Sequence, residues 1–257
     1  MRAVSCLGNL GPPHVVDTLP GMDFLITGVR RGIGREVAER LNAAGHRVFG
    51  VVRPGTDAGG LTLAGMVEAD LAQPATIATA AAPLAARMQR LDGLVHSAGV
   101  IGGPLSETPP ADLERVFAVN VGAAAELVRS FLPQLRSAAG TVVLVNSTSG
   151  LSAGPPLSSY GASKYALRGY ADALRAEEPQ LRVTSIYPSR TATGMQRELR
   201  ELEQLPYVAE DYLRPGTVAG LITQALLLPD DAVITDLVVR PRSKSGQRRS
   251  EPHKPTG

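Results

Sequence analysis

The chain has 257 residues, of which 44% are hydrophobic but only 4% aromatic and none tryptophan, so it can bury one large core of aliphatic side chains. Its net charge of +2 is too small to indicate a nucleic-acid-binding protein, and its single cysteine, Cys6, excludes an intrachain disulfide and a cysteine-based metal site. No apolar run reaches the roughly 18 residues needed to span a bilayer, and residues 1–21 lack the apolar stretch of a signal peptide. We therefore expect a cytoplasmic protein that holds no metal and binds neither membranes nor nucleic acid.

A strand, a glycine-rich turn and a helix follow a predicted flexible extension over residues 1–21, and the sequence leaves open whether Met22 is the natural start. The strand covers residues 23–27, the turn reads GVRRGIG over residues 28–34, and an amphipathic helix covers residues 35–44. Glycines permit the tight turn and let the backbone approach a pyrophosphate at the helix N-terminus, where free amides favour anions. The binding candidates in this turn are Gly28, Gly32, Ile33 and Gly34.

Arginines occupy the corner that would face the adenine ribose of a dinucleotide. The second strand, residues 47–52, ends at Arg53, where an acidic residue would accept hydrogen bonds from a 2′-hydroxyl. Arg30 and Arg31 in the glycine-rich turn should point to the same place. Guanidinium groups match a phosphate well, so this corner favours NADP over NAD; the alternative is a solvated basic cluster without a ligand.

Two further strand ends add candidates for the same cofactor. A strand over residues 65–69 ends at Asp70 and Leu71, a polar–apolar pair suited to the amino group and the face of an adenine. A helix over residues 73–90 and a strand over residues 93–96 follow, and the residues just past that strand are Ser97, Ala98 and Gly99. His96 has no second histidine, cysteine or carboxylate nearby in the sequence, so we interpret it as structural.

The strongest chemical signal is a serine, a tyrosine and a lysine in one short segment. A strand over residues 141–145 precedes Ser147, and a helix over residues 159–177 carries Tyr160 and Lys164 one turn apart on one face. A lysine ammonium there would stabilise a phenolate and lower the tyrosine pKa from its usual value of about 10. Ser147 could hydrogen-bond a carbonyl oxygen that the tyrosine protonates. A Tyr-x-x-x-Lys spacing on a surface helix alone has no necessary function, but the serine at this offset favours catalysis.

The remaining elements complete the predicted fold. A long helix over residues 109–135 contains Asn120 amid apolar neighbours, so its side chain must bond the backbone or hold a water. A strand over residues 182–187 is followed by Pro188 and Thr191, two further candidates for binding the cofactor. A charged helix over residues 195–205 is either a lid over the substrate or a packing helix. A helix over residues 215–228 and a strand over residues 232–239 precede a basic tail, residues 241–257, that we expect to be disordered. This alternation predicts an α/β fold, a doubly wound Rossmann-type seven-stranded parallel sheet with helices on both faces, in one domain over residues 22–240.

With these residues placed, the chain from 22 to 240 resembles the short-chain dehydrogenase/reductase family in its compact single-domain form. Thr27-Gly28-x-x-x-Gly32-Ile33-Gly34 is similar to the family's cofactor loop, Asp70 to its adenine-contacting aspartate, and Arg31 with Arg53 to the basic pair of NADP-preferring members. The four catalytic positions of the family are matched in order and spacing by Asn120, Ser147, Tyr160 and Lys164. The resemblance implies NADP(H) as cofactor, with Thr193 at the nicotinamide carboxamide.

The mechanism implied by this resemblance is reversible hydride transfer between NADPH and a ketone or aldehyde, with a secondary alcohol as the reverse substrate. Tyr160 would donate the proton and Lys164 would bind the nicotinamide ribose and lower the pKa of Tyr160. Ser147 would orient the carbonyl, and Asn120 would hold a water that passes protons to Lys164. Two departures stand out: the family's Asn-Asn-Ala-Gly reads His96-Ser97-Ala98-Gly99, and its Pro-Gly reads Pro188-Ser189. Neither removes a reacting group.

Two other functions compete with this interpretation. An NADPH-binding sensor or scaffold without turnover would be expected to have lost Tyr160 or Lys164, and a nucleotide-sugar epimerase or dehydratase would need a longer C-terminal part. Residues 149–157 and 189–213 should line the substrate pocket and suggest a small apolar, uncharged ligand; the named candidates are Ser149, Leu151, Leu157 and Met195. The same apolar residues could be subunit contacts, and the resemblance suggests a homodimer or homotetramer packed partly through the helix of Tyr160.

Overall fold

The structure of the protein is a computed structural model that describes residues 21–242. The predicted N-terminal extension before residue 21, with Cys6, and the tail beyond residue 242 lie outside the described residues. Within them, seven strands form one parallel sheet in the order β3-β2-β1-β4-β5-β6-β7. The strands are β1 Asp23–Thr27, β2 Arg47–Val52, β3 Gly65–Glu68, β4 Gly93–His96, β5 Thr141–Val145, β6 Arg182–Pro188 and β7 Asp236–Val239. The predicted fold class is confirmed.

Helices cover both faces of this sheet. They are α1 Gly32–Ala43, α2 Pro74–Ala85, α3 Pro110–Phe117, α4 Ala123–Ser130, α5 Leu132–Ala138, α6 Ser158–Glu177, α7 Gly194–Leu202 and α8 Pro215–Leu226. One core cluster joins the sheet to α2, α4 and α6, and the other joins it to α1 and α8. Because both faces are covered, the central strands β1, β4 and β5 are buried at every residue, which explains why their polar residues are confined to the strand ends.

The segment predicted as one helix over residues 109–135 is interrupted in two places, so the prediction of a continuous helix was wrong. A π-helical turn, Ala118–Gly122, interrupts it after α3, and a second break at Phe131 separates α4 from α5. Proline in the first turn of α5 explains the second break, since it has no N–H for a continuous helix. The first break lies at Asn120, whose side chain bonds elsewhere in the fold, as described below.

Other boundaries also differ. Helix α2 ends at Ala85 rather than residue 90, because the N–H groups of Arg87 and Met88 bond carbonyls three residues back and tighten the last turn. Strand β3 ends at Glu68, and β7 begins only at Asp236, where it pairs with β6. Helix α1 begins at Gly32, inside the glycine-rich turn, which brings its N-terminus to the end of β1.

No single helix within residues 21–242 is long and apolar enough to cross a membrane. The segments Pro110–Ser130 and Leu132–Ala138 meet the length and composition limits only together, and they are bent by 66° relative to each other. In the same part of the chain, no group of three histidine, cysteine, aspartate or glutamate side chains could hold a metal ion.

Candidate active site

A cleft of about 1260 Å³ runs along the carboxyl edge of the sheet, where β1, β2, β4, β5 and β6 end. Chain order reverses between β1 and β4, and this switch point is where parallel α/β sheets bind their ligands. Most of the residues singled out in the sequence line the cleft: Gly28, Arg30, Arg31, Gly32, Ile33, Arg53, Asp70, Leu71, Ser97, Ala98, Gly99, Ser147, Ser149, Leu157, Tyr160, Lys164, Pro188, Thr191, Thr193 and Met195. Three others, Gly34, Asn120 and Leu151, are not part of its lining.

The glycine-rich turn has the shape of an anion cradle. Gly28 and Gly32 have φ values of 73° and 63°, which only glycine adopts without strain. A Cβ at Gly34 would lie 2.6 Å from the carbonyl oxygen of Gly28, so this glycine lets α1 pack against the turn instead of contacting a ligand. Arg31 precedes α1 without a side-chain cap, so its side chain does not occupy the free N–H groups of the first turn, and Gly32 and Ile33 of that turn line the cleft.

The arginine corner is split between two directions. Arg30 pairs with Asp57 at 3.7 Å, on the side of the β2 strand end. Arg31 instead reaches across the cleft to Glu198 on α7, at 3.8 Å, and passes close to Gly194. Arg53 has no ion-pair partner among residues 21–242. All three arginines therefore line the cleft, as expected. The side chain of Arg31, however, points toward α7 and not toward the end of β2.

Thr27 and His96 tie the end of β1 to the end of β4. The Thr27 hydroxyl oxygen accepts hydrogen bonds from the backbone N–H groups of Ser97 and Ala98, at 3.0 and 2.9 Å. His96 is fully buried, with Nδ1 3.3 Å from that hydroxyl and Nε2 3.1 Å from the carbonyl oxygen of Val119. Burial and the nearby charge of Lys164 lower the pKa of His96 to about 3, so the ring is neutral. This agrees with its interpretation as structural.

Asn120 lies behind the cleft wall, in the π-helical turn. Its Oδ1 accepts from the Val100 N–H at 2.9 Å, and its Nδ2 donates to the Val100 carbonyl at 3.1 Å and to the Ser163 hydroxyl at 2.9 Å. Both N–H groups of the amide and one accepting position of Oδ1 therefore have protein partners, two of them the backbone of Val100, in line with the predicted bonding to the backbone. It holds the segment after β4 against α6, the helix of the tyrosine and the lysine.

Ser147, Tyr160 and Lys164 meet in the cleft at the end of β5. The Lys164 Nζ lies 5.6 Å from the centre of the Tyr160 ring and donates to the Val145 carbonyl at 2.8 Å. The Ser147 hydroxyl accepts from the N–H of Ser149 at 3.1 Å, and its interaction with the Tyr160 phenol lowers the pKa of that phenol. The spacing on α6 and the end of β5 therefore bring together the three residues that the sequence predicted.

Asn146 supports this arrangement and was missed in the sequence. Its Oδ1 accepts from the Ser147 N–H at 2.8 Å, and its Nδ2 donates to the Lys164 carbonyl at 3.1 Å. The amide thereby fixes the end of β5 to α6. The available signal was a polar residue directly after a fully buried strand, a position where a buried side chain must find partners.

Burial shifts both ionisable groups away from their charged forms. It raises the pKa of the Tyr160 phenol to about 12, against the opposing effect of the Ser147 hydrogen bond. It lowers the pKa of the Lys164 ammonium to about 7. The predicted lowering of the tyrosine pKa by the lysine is not what this structure gives: Nζ lies beside the ring and is bonded to Val145, so desolvation dominates.

A family model described as short chain dehydrogenase matches residues 24–204. The chain belongs to the short-chain dehydrogenase/reductase family. A short-chain type dehydrogenase/reductase of Sinorhizobium fredii is 30% identical over 228 residues, which cover 84% of this chain and 90% of the relative. The 1-deoxy-11-beta-hydroxypentalenate dehydrogenase of Streptomyces avermitilis is 34% identical over 195 residues, covering 68% of this chain and 70% of the relative.

Solved structures of short-chain dehydrogenases superimpose on most of this chain. A putative short chain dehydrogenase of Escherichia coli CFT073 complexed with NADPH gives a TM-score of 0.77 at 26% identity and covers 88% of this chain and 99% of that one. A metagenomic short-chain oxidoreductase in complex with NADP gives a TM-score of 0.71 at 28% identity and covers 88% and 100%. The protein is therefore an oxidoreductase of the short-chain dehydrogenase/reductase family with the Rossmann-like sheet of that family.

Proposed function

We propose that this short-chain dehydrogenase/reductase transfers a hydride reversibly between NADP(H) and a small ketone, aldehyde or secondary alcohol. The observation that carries the proposal is the meeting of Ser147, Tyr160 and Lys164 in a cleft whose other end is the glycine-rich turn. A proton donor and a dinucleotide cradle in one cleft are what carbonyl reduction requires. The apolar side chains of Leu157 and Met195 in the cleft wall support an uncharged, largely apolar substrate.

The residues of the cleft fit a dinucleotide along its whole length. The turn over residues 28–34 and the start of α1 would hold the pyrophosphate, since the turn leaves no Cβ in the way and the helix N-terminus favours anions. Asp70 and Leu71 would contact the adenine, and Thr193 would contact the nicotinamide carboxamide. A bound nicotinamide supplies or accepts the hydride.

A preference for NADP over NAD rests on the arginine corner. Arg53 lines the cleft at the end of β2, where its guanidinium has no ion-pair partner within residues 21–242. The pairs of Arg30 with Asp57 and Arg31 with Glu198 are long and exposed, and such pairs contribute little stability. A 2′-phosphate could therefore recruit these arginines at low cost. The NADPH and NADP complexes of structures similar to this chain support the same cofactor.

The proton steps follow from the positions of the side chains. Tyr160 keeps its proton at neutral pH, because burial raises its pKa, so it can donate that proton to a carbonyl oxygen. Ser147, which bonds the phenol, would hold the same oxygen in place. Lys164, with a pKa of about 7, can release and take up a proton at Nζ near neutral pH, and would hold the nicotinamide ribose when the cofactor is bound. Asn120 fixes the geometry of these groups from behind.

We also propose that the enzyme forms a homodimer or homotetramer that packs partly through α6. Tyr165 on this helix is 43% exposed, an aromatic side chain available for contact with a second copy. Light scattering on the purified protein measures the oligomeric state directly.

The test of the proposed function is Tyr160→Phe, which removes only the phenolic oxygen. We expect NADPH-dependent reduction of ketones and aldehydes, followed by the near-ultraviolet absorbance of NADPH, to fall by about 10²- to 10⁴-fold. NADPH binding, measured by its fluorescence, should stay nearly intact, because the phenol is not part of the phosphate cradle. Full activity in the variant would refute Tyr160 as proton donor. Binding of NADPH by the wild type without turnover of any carbonyl compound would favour the sensor alternative.

A further inference from the structure

Gln196, in the first turn of α7, is a buried amide with an unused hydrogen-bonding group. The residue is only 5% exposed, and its Nε2 has no hydrogen-bond partner among residues 21–242. Its backbone N–H is bonded to the Thr193 hydroxyl at 3.4 Å, so the start of the side chain is held by the capped helix. Buried polar groups are nearly always paired in folded proteins, and an unpaired one destabilises the fold.

The location of Gln196 separates it from the other unpaired groups. Five further buried side chains have a polar atom without a partner in the described residues: Gln134, Thr141, Arg182, Thr184 and Tyr187. None of these five lines the cleft, whereas Gln196 forms part of its wall. Because Gln196 belongs to the cleft wall, a rotation of its side chain would bring this buried donor to a ligand, which is not possible for the other five residues.

The first turn of α7 lies beside the catalytic groups. A Cβ at Gly99 would lie 3.7 Å from the Met195 Cε and 3.9 Å from the Lys164 Nζ, so both atoms surround one point in the cleft. Gln196 directly follows Met195 on the helix. Gln196 is thus a residue of the reacting end of the cleft and not of the adenine end, where Asp70 and Arg53 lie.

The surroundings of Gln196 favour a neutral ligand. Met195 and Leu199, its neighbours on the inward face of α7, are apolar and line the cleft. Arg190 also lines this region, but both of its terminal nitrogens donate to Glu203, at 2.9 and 2.6 Å, and Glu203 also accepts from Arg200, so these nitrogens are already occupied within an ion-pair cluster. An uncharged oxygen acceptor therefore suits this wall better than a carboxylate.

We propose that Gln196 is a specificity-determining residue that donates its amide N–H to a second oxygen of the substrate, distinct from the carbonyl oxygen that is reduced. The preferred substrates are then uncharged, mostly apolar ketones or aldehydes that carry a further carbonyl, ester or hydroxyl oxygen near the reacting carbon. This inference rests on the proposed function, since it names the substrate class of the same site. It refines the purely apolar ligand expected from the sequence.

The experiment compares wild type with Gln196→Leu, which keeps the bulk of the side chain and removes the amide. The substrates are pairs with equal numbers of non-hydrogen atoms in which only one member carries further oxygens: 2-hexanone with pentane-2,4-dione, and 2-octanone with ethyl acetoacetate. Both kcat/KM with NADPH and the Kd of each compound for the enzyme–NADP⁺ complex are measured, because binding to that complex needs no turnover. Gln73→Leu, an exposed glutamine outside the cleft, is the matched control.

We expect Gln196→Leu to lower kcat/KM and weaken binding by about 3- to 10-fold for the oxygenated member of each pair, with little change for the plain ketone. The control variant should leave both members unchanged. Equal effects on both members of a pair, or no effect on either, would overturn the inference and make Gln196 a packing residue. If the enzyme reduces none of the compounds but the affinity difference appears, the inference stands and the proposed reaction fails. If the compounds are reduced but the difference is missing in both measurements, only the inference fails.

Discussion

Replacing Lys164 with methionine should change how the stability of the protein depends on pH. Lys164 is only 3% exposed, and burial lowers the pKa of its ammonium from 10.5 to about 7. In the unfolded chain the ammonium is solvated and keeps its ordinary pKa, so between these two values the unfolded state binds one proton more than the folded state. A group with a depressed folded-state pKa contributes stability above its unfolded pKa and loses it as the pH falls to the folded value. The free energy of unfolding of the wild type should therefore rise with pH in this window.

The size of this effect follows from the same two pKa values. One pKa unit corresponds to about 1.4 kcal/mol, and half of the folded molecules have already lost the proton at about pH 7, so the gain between about pH 7 and 9 is about 2 kcal/mol. Lys164→Met lacks the titrating group and should lack this gain. Urea unfolding of both proteins at several pH values measures it.

Arg168→Met on the exposed face of the same helix is the control, because arginine does not titrate in this range. Its stability should follow that of the wild type at every pH. If the wild-type and Lys164→Met curves ran parallel from pH 7 to 9, the folded-state pKa of Lys164 would be close to its ordinary value. The proton transfer proposed at Nζ near neutral pH would then lose its basis.

Two further variants test the arginine corner and the buried histidine. Arg53→Asp should lower the ratio of kcat/KM for NADPH to that for NADH by about 10- to 100-fold, because a charge-assisted contact to the 2′-phosphate is replaced by repulsion; an unchanged ratio would remove Arg53 from cofactor discrimination. His96→Leu leaves the Val119 carbonyl unpaired and should lower the free energy of unfolding at neutral pH by about 1–3 kcal/mol in urea. The folded-state pKa of His96 is depressed to about 3, so the free energy of unfolding of the wild type should fall by about 2 kcal/mol more than that of the variant between about pH 6.5 and 4.5. Equal decreases in the two proteins would show that His96 is charged in the fold.

The sequence was sufficient for the architecture because the signals are local and repeated. Each central strand is a short apolar run, and each is followed by a helix, so the parallel sheet with helices on both faces follows from connection rules alone. The boundaries were less certain. The break at Asn120 depends on bonds to Val100 and Ser163, which are distant in sequence, so no local pattern could place the π-helical turn.

The site divides in the same way. The sequence by itself determined that Ser147, Tyr160 and Lys164 would meet, because a helical turn fixes the spacing of two of them and the carboxyl end of β5 fixes the third. Only the tertiary structure decided the direction of the Tyr160 pKa shift, since desolvation depends on the whole set of elements packed around the phenol. It also decided that Arg31 reaches toward α7 and that Gln196 is buried without a partner. Burial and long-range contacts are properties of the packed chain. The residue pattern therefore predicts which groups react, but the pKa values of those groups and the residues that line the substrate cleft depend on the tertiary structure.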